Sequence, residues 1–147
     1  MLRKTKRTAA LALILLSGCD LITGTTPERS LWDALGIKNY DFVYEVSCFC
    51  GFNRPNPVKL SVRDGAVSAA SAVNPYTGPM PALSTYPTID SLFAIMERAQ
   101  KSNPSGVSVK FDPTYHYPTR MDLDPIKNAI DDEATHTVSG FVPVIQK

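Results

Sequence analysis

Tyr40-Asp41-Phe42-Val43-Tyr44-Glu45-Val46-Ser47 is the stretch whose reading decides the fold. Aromatic and β-branched residues at 40, 42, 44 and 46 alternate with Asp41, Val43, Glu45 and Ser47. A period of two with these residue types describes a strand with one face on a core and the other toward solvent. On its N-terminal side, Thr26-Pro27 with Glu28 reads as a helix start, proline being tolerated where the first N–H has no partner. Leu31, Trp32 and Leu35 would share one face of that short helix, and Gly36 would end it.

On the C-terminal side, Val58, Leu60 and Val62 alternate up to Asp64-Gly65, a favoured hairpin turn, and 66–73 returns as a weaker Ala- and Ser-rich strand. Prolines crowd 74–87, which predicts a loop. Thr88 is placed to cap a helix over 89–101, with Ile89, Leu92, Phe93, Met96 and Ala99 as its buried stripe and Asp90 at the positive end of the dipole. Asn103-Pro104-Ser105-Gly106 breaks that helix. Val107, Val109 and Phe111 mark a strand, 119–124 returns after a turn at 113–118, and 134–144 gives the last strand. Strands that follow one another as hairpins, with few helices between, predict an α+β fold. The expected architecture is an antiparallel sheet of about five to six strands, one main helix on one face and a short N-terminal helix. Trp32, Tyr40, Phe42, Tyr44 and Phe93 read as core, and an uncovered sheet face is a candidate binding surface.

The N-terminus carries a different message. Arg3, Lys4, Lys6 and Arg7 precede the unbroken apolar run 9–16. Eight apolar residues rise only about 12 Å as a helix, short of a ~30 Å bilayer core, which suits a signal h-region and not a permanent span. Leu16-Ser17-Gly18-Cys19 resembles the lipobox of bacterial lipoproteins. The resemblance implies cleavage between Gly18 and Cys19, a diacylglycerol on the Cys19 thiol and a further acyl chain of the palmitate class on its amino group. Asp20 resembles the signal that retains such proteins in the inner membrane of enteric-type bacteria. The resulting division is a signal peptide at 1–18, a lipidated tether at 19–27 and a single domain at 28–147. Cys19 would hold the protein to a membrane through lipid, on the periplasm-facing side of the cytoplasmic membrane, with the outer membrane as the other destination.

The whole chain has 15 Lys+Arg against 14 Asp+Glu. Four of the basic residues leave with the signal, so acidic residues outnumber basic ones by three in the mature part. Nucleic-acid binding, which needs a clear basic excess, is excluded on that balance.

Trp32, the strand 40–44, Ser47-Cys48-Phe49-Cys50, the Asp64-Gly65 turn, Leu92-Phe93, Tyr117-Pro118 and Asp131-Asp132-Glu133 occur together in this order. The chain thereby resembles the bacterial lipoproteins grouped as domain of unknown function 6174, over roughly residues 30 to 142. The resemblance implies a fold and an exported location, and no activity. It also implies a glycine before the Tyr-Pro pair, where this chain carries His116; a positive φ there suits glycine better than histidine.

Cys48 and Cys50 are the leading candidate site. Export would place them in an oxidising compartment, and with Cys19 lipidated they form an even pair. Residues two apart in a straight strand lie about 6.6 Å apart, near the upper limit for a disulfide, so a bridge asks the strand to end there. A local disulfide, redox exchange, soft-metal binding and free buried thiols all remain open readings. His116 and His136 lie on separate elements; His136, in phase with Val138 and Val142, reads as a hydrogen-bonded, half-buried histidine. Asp122, Asp124 and Glu133 fall at positions 1, 3 and 12 of a Ca²⁺ loop, but Ile126 and Lys127 stand where an oxygen ligand and a turn glycine belong. Cys48, Cys50, His116, Asp122, Asp124 and Glu133 are therefore weak metal candidates, and no cofactor is expected. No Gly-x-Ser-x-Gly element is present. The expected function is that of a lipid-anchored envelope protein with a structural or binding role toward an envelope partner. The alternative is a thiol-based redox or soft-metal protein using Cys48 and Cys50.

Overall fold

The computed structural model describes residues 26–49, 51 and 54–144. Two helices, α1 (Pro27–Leu35) and α2 (Ile89–Ser102), accompany six strands: β1 (Tyr40–Cys48), β2 (Val58–Arg63), β3 (Ala66–Ala72), β4 (Val107–Phe111), β5 (Pro118–Leu123) and β6 (Ala134–Pro143). All pairings are antiparallel and the sheet order is β3-β2-β1-β6-β5-β4. The protein is α+β, and the strand read first sits beside the sheet's centre.

β1 alternates as its residues dictate: Tyr40, Phe42, Tyr44 and Val46 are buried and the residues between them are not. Val58, Leu60 and Val62 of β2 and Met121, Leu123 and Val138 join the same core face. α2 lays Ile89, Leu92, Phe93, Met96 and Ala99 on it, the stripe expected from helical spacing. Thr88 caps α2 by accepting from Ser91 N, and the buried Tyr40 hydroxyl accepts from Ile89 N at 3.0 Å, so one first-turn donor is satisfied from across the core. The opposite face carries ion pairs, Asp41–Arg63 at 3.0 Å and Arg120–Asp122 at 2.7 Å. The uncovered face is polar, and the aromatic set belongs to the covered one.

Asp64-Gly65 turns β2 into β3 with φ of 50° and 77°, both left-handed, as a two-residue hairpin with the right twist demands. The predicted loop at 74–87 contains one turn of 3-10 helix, Leu83–Thr85. In α1 the expected face of Leu31, Trp32 and Leu35 does not form. Trp32 is 2% exposed, whereas Leu31 and Leu35 are 47% and 45% exposed. Nine residues meet the sheet through a single large side chain.

β6 departs from its expected phase. Asp41 pairs with Val142 but Val43 with Ser139, so β6 carries one extra residue there. Gly140 takes φ 58° at that point, a conformation glycine adopts without Cβ strain. The bulge sends Phe141 inward and leaves Val142 56% exposed, so Val142 does not share a face with His136 and Val138. Phe141 then sits 4.5 Å from Tyr117, 5.3 Å from Tyr40 and 5.9 Å from Trp32, centroid to centroid.

The β4–β5 turn is tied by Asp112: its carboxylate accepts from Thr114 N and Tyr115 N, and its backbone N–H donates to Tyr117 O. His116 takes φ 61° here. Left-handed backbone costs a non-glycine residue about 1–2 kcal/mol, and glycine's larger unfolded-state entropy offsets part of that. His116→Gly is expected to raise stability by about 0.5–1 kcal/mol, seen as a melting temperature higher by about 2–4 °C. An unchanged or lower melting temperature would show that the histidine side chain compensates for its backbone.

Candidate functional site

The register sets Cys48, Ala134, Leu123 and Val107 in one row across β1, β6, β5 and β4. Beyond this row, at one end of the sheet, lies an open cleft of about 640 Å³. Cys48 lines it from the end of β1, Asp122 from β5, and Asp124, Asp131 and Glu133 from the connection to β6. Its rim is held by Asn103, a buried polar residue at the end of α2. The Asn103 amide donates to Asp124 O at 2.9 Å, Ser105 Oγ donates to Asn103 Oδ1, and Asp124 N donates to Gly106 O at 2.7 Å. A Cβ at Gly106 would overlap the Asp124 carbonyl oxygen, so this close approach requires glycine.

The carboxylates are not equivalent. Asp122 accepts from Thr135 Oγ1 at 2.7 Å and from Arg120 Nε and a terminal nitrogen at 2.9 and 2.7 Å. These hydrogen bonds hold its carboxyl below the usual carboxylate range. Asp122 belongs to a strand, not to a loop, which removes the first position of a Ca²⁺ loop. Among the described residues that line the cleft, none is basic. Among the described residues no three His, Cys, Asp or Glu side chains gather as a metal-holding group.

The sequence candidates therefore divide. Cys48, Asp122, Asp124 and Glu133 meet at one cleft, brought there by strand register. His116 lies in the β4–β5 turn, at the opposite end of that hairpin. Cys50 lies outside the described residues, as do Gly18, Cys19 and Asp20 with their predicted cleavage, lipidation and sorting roles.

His136 is half-buried and hydrogen-bonded, as its position predicted: its Nδ1 is 2.8 Å from the Tyr44 hydroxyl. Burial pushes the Tyr44 phenol up to about 12. Burial and the nearby Arg54 charge both lower the pKa of His136. The unfolded chain thus takes up a proton at His136 near pH 6.5, and the folded chain only at lower pH. The unfolded state binds more protons in that window, so stability falls as pH drops below 6.5. Asp41 and Asp122, both lowered from 3.8, act beneath it. His136→Gln is expected to flatten the fall in melting temperature as pH drops below 6.5; parallel curves for the two proteins would refute the assignment.

A family model described as a family of unknown function, DUF6174, matches residues 25–143. The chain belongs to this family. The match opens just before α1 and closes at the end of β6, so the family unit coincides with the described fold. Neither the curated proteins nor the solved structures gave a significant match. No helix among the described residues is long and apolar enough to cross a membrane.

Proposed function

We propose that this member of the family is a bacterial envelope lipoprotein, exported through residues 1–18, cleaved between Gly18 and Cys19, and lipidated on Cys19. Asp20 retains it in the cytoplasmic membrane facing the periplasm, where the domain serves a structural or binding role toward an envelope protein. The observation that carries this reading is a basic cluster, apolar run and lipobox in register, closely followed by α1 at Pro27. The seven residues Asp20–Thr26 reach at most about 25 Å, which keeps the domain beside the bilayer. The polar sheet face and the edge strands β3 and β4 are the surfaces open to a partner. Cys48 and Cys50 form a local disulfide on this reading, as an even pair of thiols in an oxidising compartment would, and β1 ends at Cys48.

Intact mass of protein extracted from membranes tests it. A chain starting at Cys19 and carrying acyl chains is expected; a different start without lipid overturns the proposal. A thiol-based function is the second reading, favoured by Cys48 lining the acidic cleft. Alkylation of Cys48 and Cys50 only after reduction supports the structural bridge, and free alkylation or a bound metal favours the second reading. The Cys48→Ser, Cys50→Ser double variant should lose a few kcal/mol at most if the bridge is structural.

A further inference from the structure

α1 has two faces. One holds Trp32, docked on Tyr40, Tyr117 and Phe141, and Arg29, whose guanidinium pairs with Asp33 at 2.9 Å and with Asp90 at 3.2 Å. The other holds Pro27, Leu31, Ala34 and Leu35, all exposed, the two leucines at 47% and 45%. At about 3.6 residues per turn these four fall within an arc of about 100°, and Trp32 projects about 100° away from Leu31. No charged side chain interrupts the arc, which Glu28 borders on one side and Ser30 on the other. Single exposed leucines are ordinary, but an apolar stripe at helical spacing on a helix already docked by another face is fitted to meet a second apolar surface.

The chain that precedes α1 says which surface that is. The seven residues Asp20–Thr26 span at most about 25 Å from Cys19, and α1 itself is only about 13 Å long, so the whole stripe lies within reach of a bilayer that holds Cys19. Other exposed apolar residues, Ile126 at 60% and Ile130 at 86%, lie in the connection that enters β6 at Ala134. Trp32 packs on Phe141 near the opposite end of β6, about 20 Å of strand away.

We propose that α1 lies along the surface of the bilayer that holds Cys19, with Leu31 and Leu35 in the interfacial layer. The inference rests on the lipid anchor proposed above. Two half-exposed leucines would not hold a free protein at a membrane. A tether of this length keeps them beside the surface at an effective concentration of about millimolar, where a small apolar contact suffices. The acidic excess of the mature chain offers no attraction to anionic lipid, so the contact is apolar in origin. Its consequence is a fixed orientation, in which the acidic cleft at the Cys48 end of the sheet is held away from the bilayer.

The test uses membrane-extracted protein in singly occupied nanodiscs of phosphatidylethanolamine with a minor share of phosphatidylglycerol, its leucine, isoleucine and alanine methyls labelled for NMR. A doxyl-labelled lipid is expected to broaden the Leu31 and Leu35 methyls several-fold more than those of Ile126 and Ile130, and a soluble gadolinium chelate to give the reverse order. Leu31→Gln combined with Leu35→Gln should cut the doxyl effect on the Ala34 methyl several-fold. Circular dichroism of that variant should be unchanged, since both leucines lie outside the core. The proposal is overturned if Leu31 and Leu35 stay open to the chelate, if Ile126 and Ile130 broaden more, or if the double variant leaves Ala34 as broadened as before. Shielding that arises only when discs hold two copies assigns the stripe to a second copy and overturns it too. Intact mass of the same sample keeps the two readings apart: a sample without acyl chains fails the lipid anchor and this inference with it, whereas an acylated sample with any of those outcomes fails this inference alone.

Discussion

Trp32→Ala is expected to cost about 3–5 kcal/mol, the largest loss from any single side chain of α1. Trp32 is the only tryptophan and lies 2% exposed with Tyr40, Tyr117 and Phe141 around it, at 5.7, 6.5 and 5.9 Å. Its Nε1 donates to Asp90 Oδ1 at 3.1 Å. Arg29 reaches the same carboxylate at 3.2 Å, so α1 is clamped to the first turn of α2. An isolated helix of nine residues is marginal in water, so α1 owes its order to this docking. Trp32→Phe keeps an aromatic ring in the pocket and loses the hydrogen bond to the carboxylate, with an expected cost of about 1–3 kcal/mol. Urea unfolding followed by far-UV circular dichroism, which does not depend on the lost indole, reads both. A loss below about 1 kcal/mol for the alanine variant would mean that α1 is held by something other than Trp32.

Phe93→Ala is expected to lose a similar amount, about 3–5 kcal/mol, for a different reason. Phe93 is fully buried where α2 meets the sheet, its ring 6.2 Å from that of Phe111 and nearly parallel to it. The Arg29 guanidinium lies 5.2 Å from the Phe93 ring centre, so this ring joins α1, α2 and β4. Truncation opens a cavity between three elements that cannot all collapse toward it. Phe93→Leu retains most of the volume and should cost about 1.5 kcal/mol or less. Equal losses for alanine and leucine would show that ring contacts, and not volume, dominate at this position. The same urea titration separates the outcomes.

The α2 stripe was legible because helical spacing and burial obey one rule: residues three and four apart share a face. The β1 alternation was legible for the corresponding reason at period two. Phe141 was not. It became a core residue through the extra residue in β6, and only pairing against β1 reveals that Val43 faces Ser139 while Asp41 faces Val142. Leu31 and Leu35 misled in the other direction, since apolar spacing states which residues share a face and not whether a partner covers all of it. Asp90, visible as a helix-dipole charge, acts also as the acceptor for Trp32, a contact 58 residues away.

The sites divide along the same line. Cys48 with its cleft carboxylates could be picked out by residue type, but their meeting required four strands in register.

By itself, the sequence determined the secondary elements, their order, the α+β class, the turn at Asp64-Gly65 and the core-facing side of β1 and α2, because these follow from near-neighbour spacing and backbone preference. Tertiary structure alone decided the bulge at Gly140, the burial of Trp32 without Leu31 and Leu35, the polar character of the open sheet face and the acidic cleft. Each of these depends on which surfaces remain uncovered once distant strands have paired, and that is set by long-range packing and register, not by local pattern.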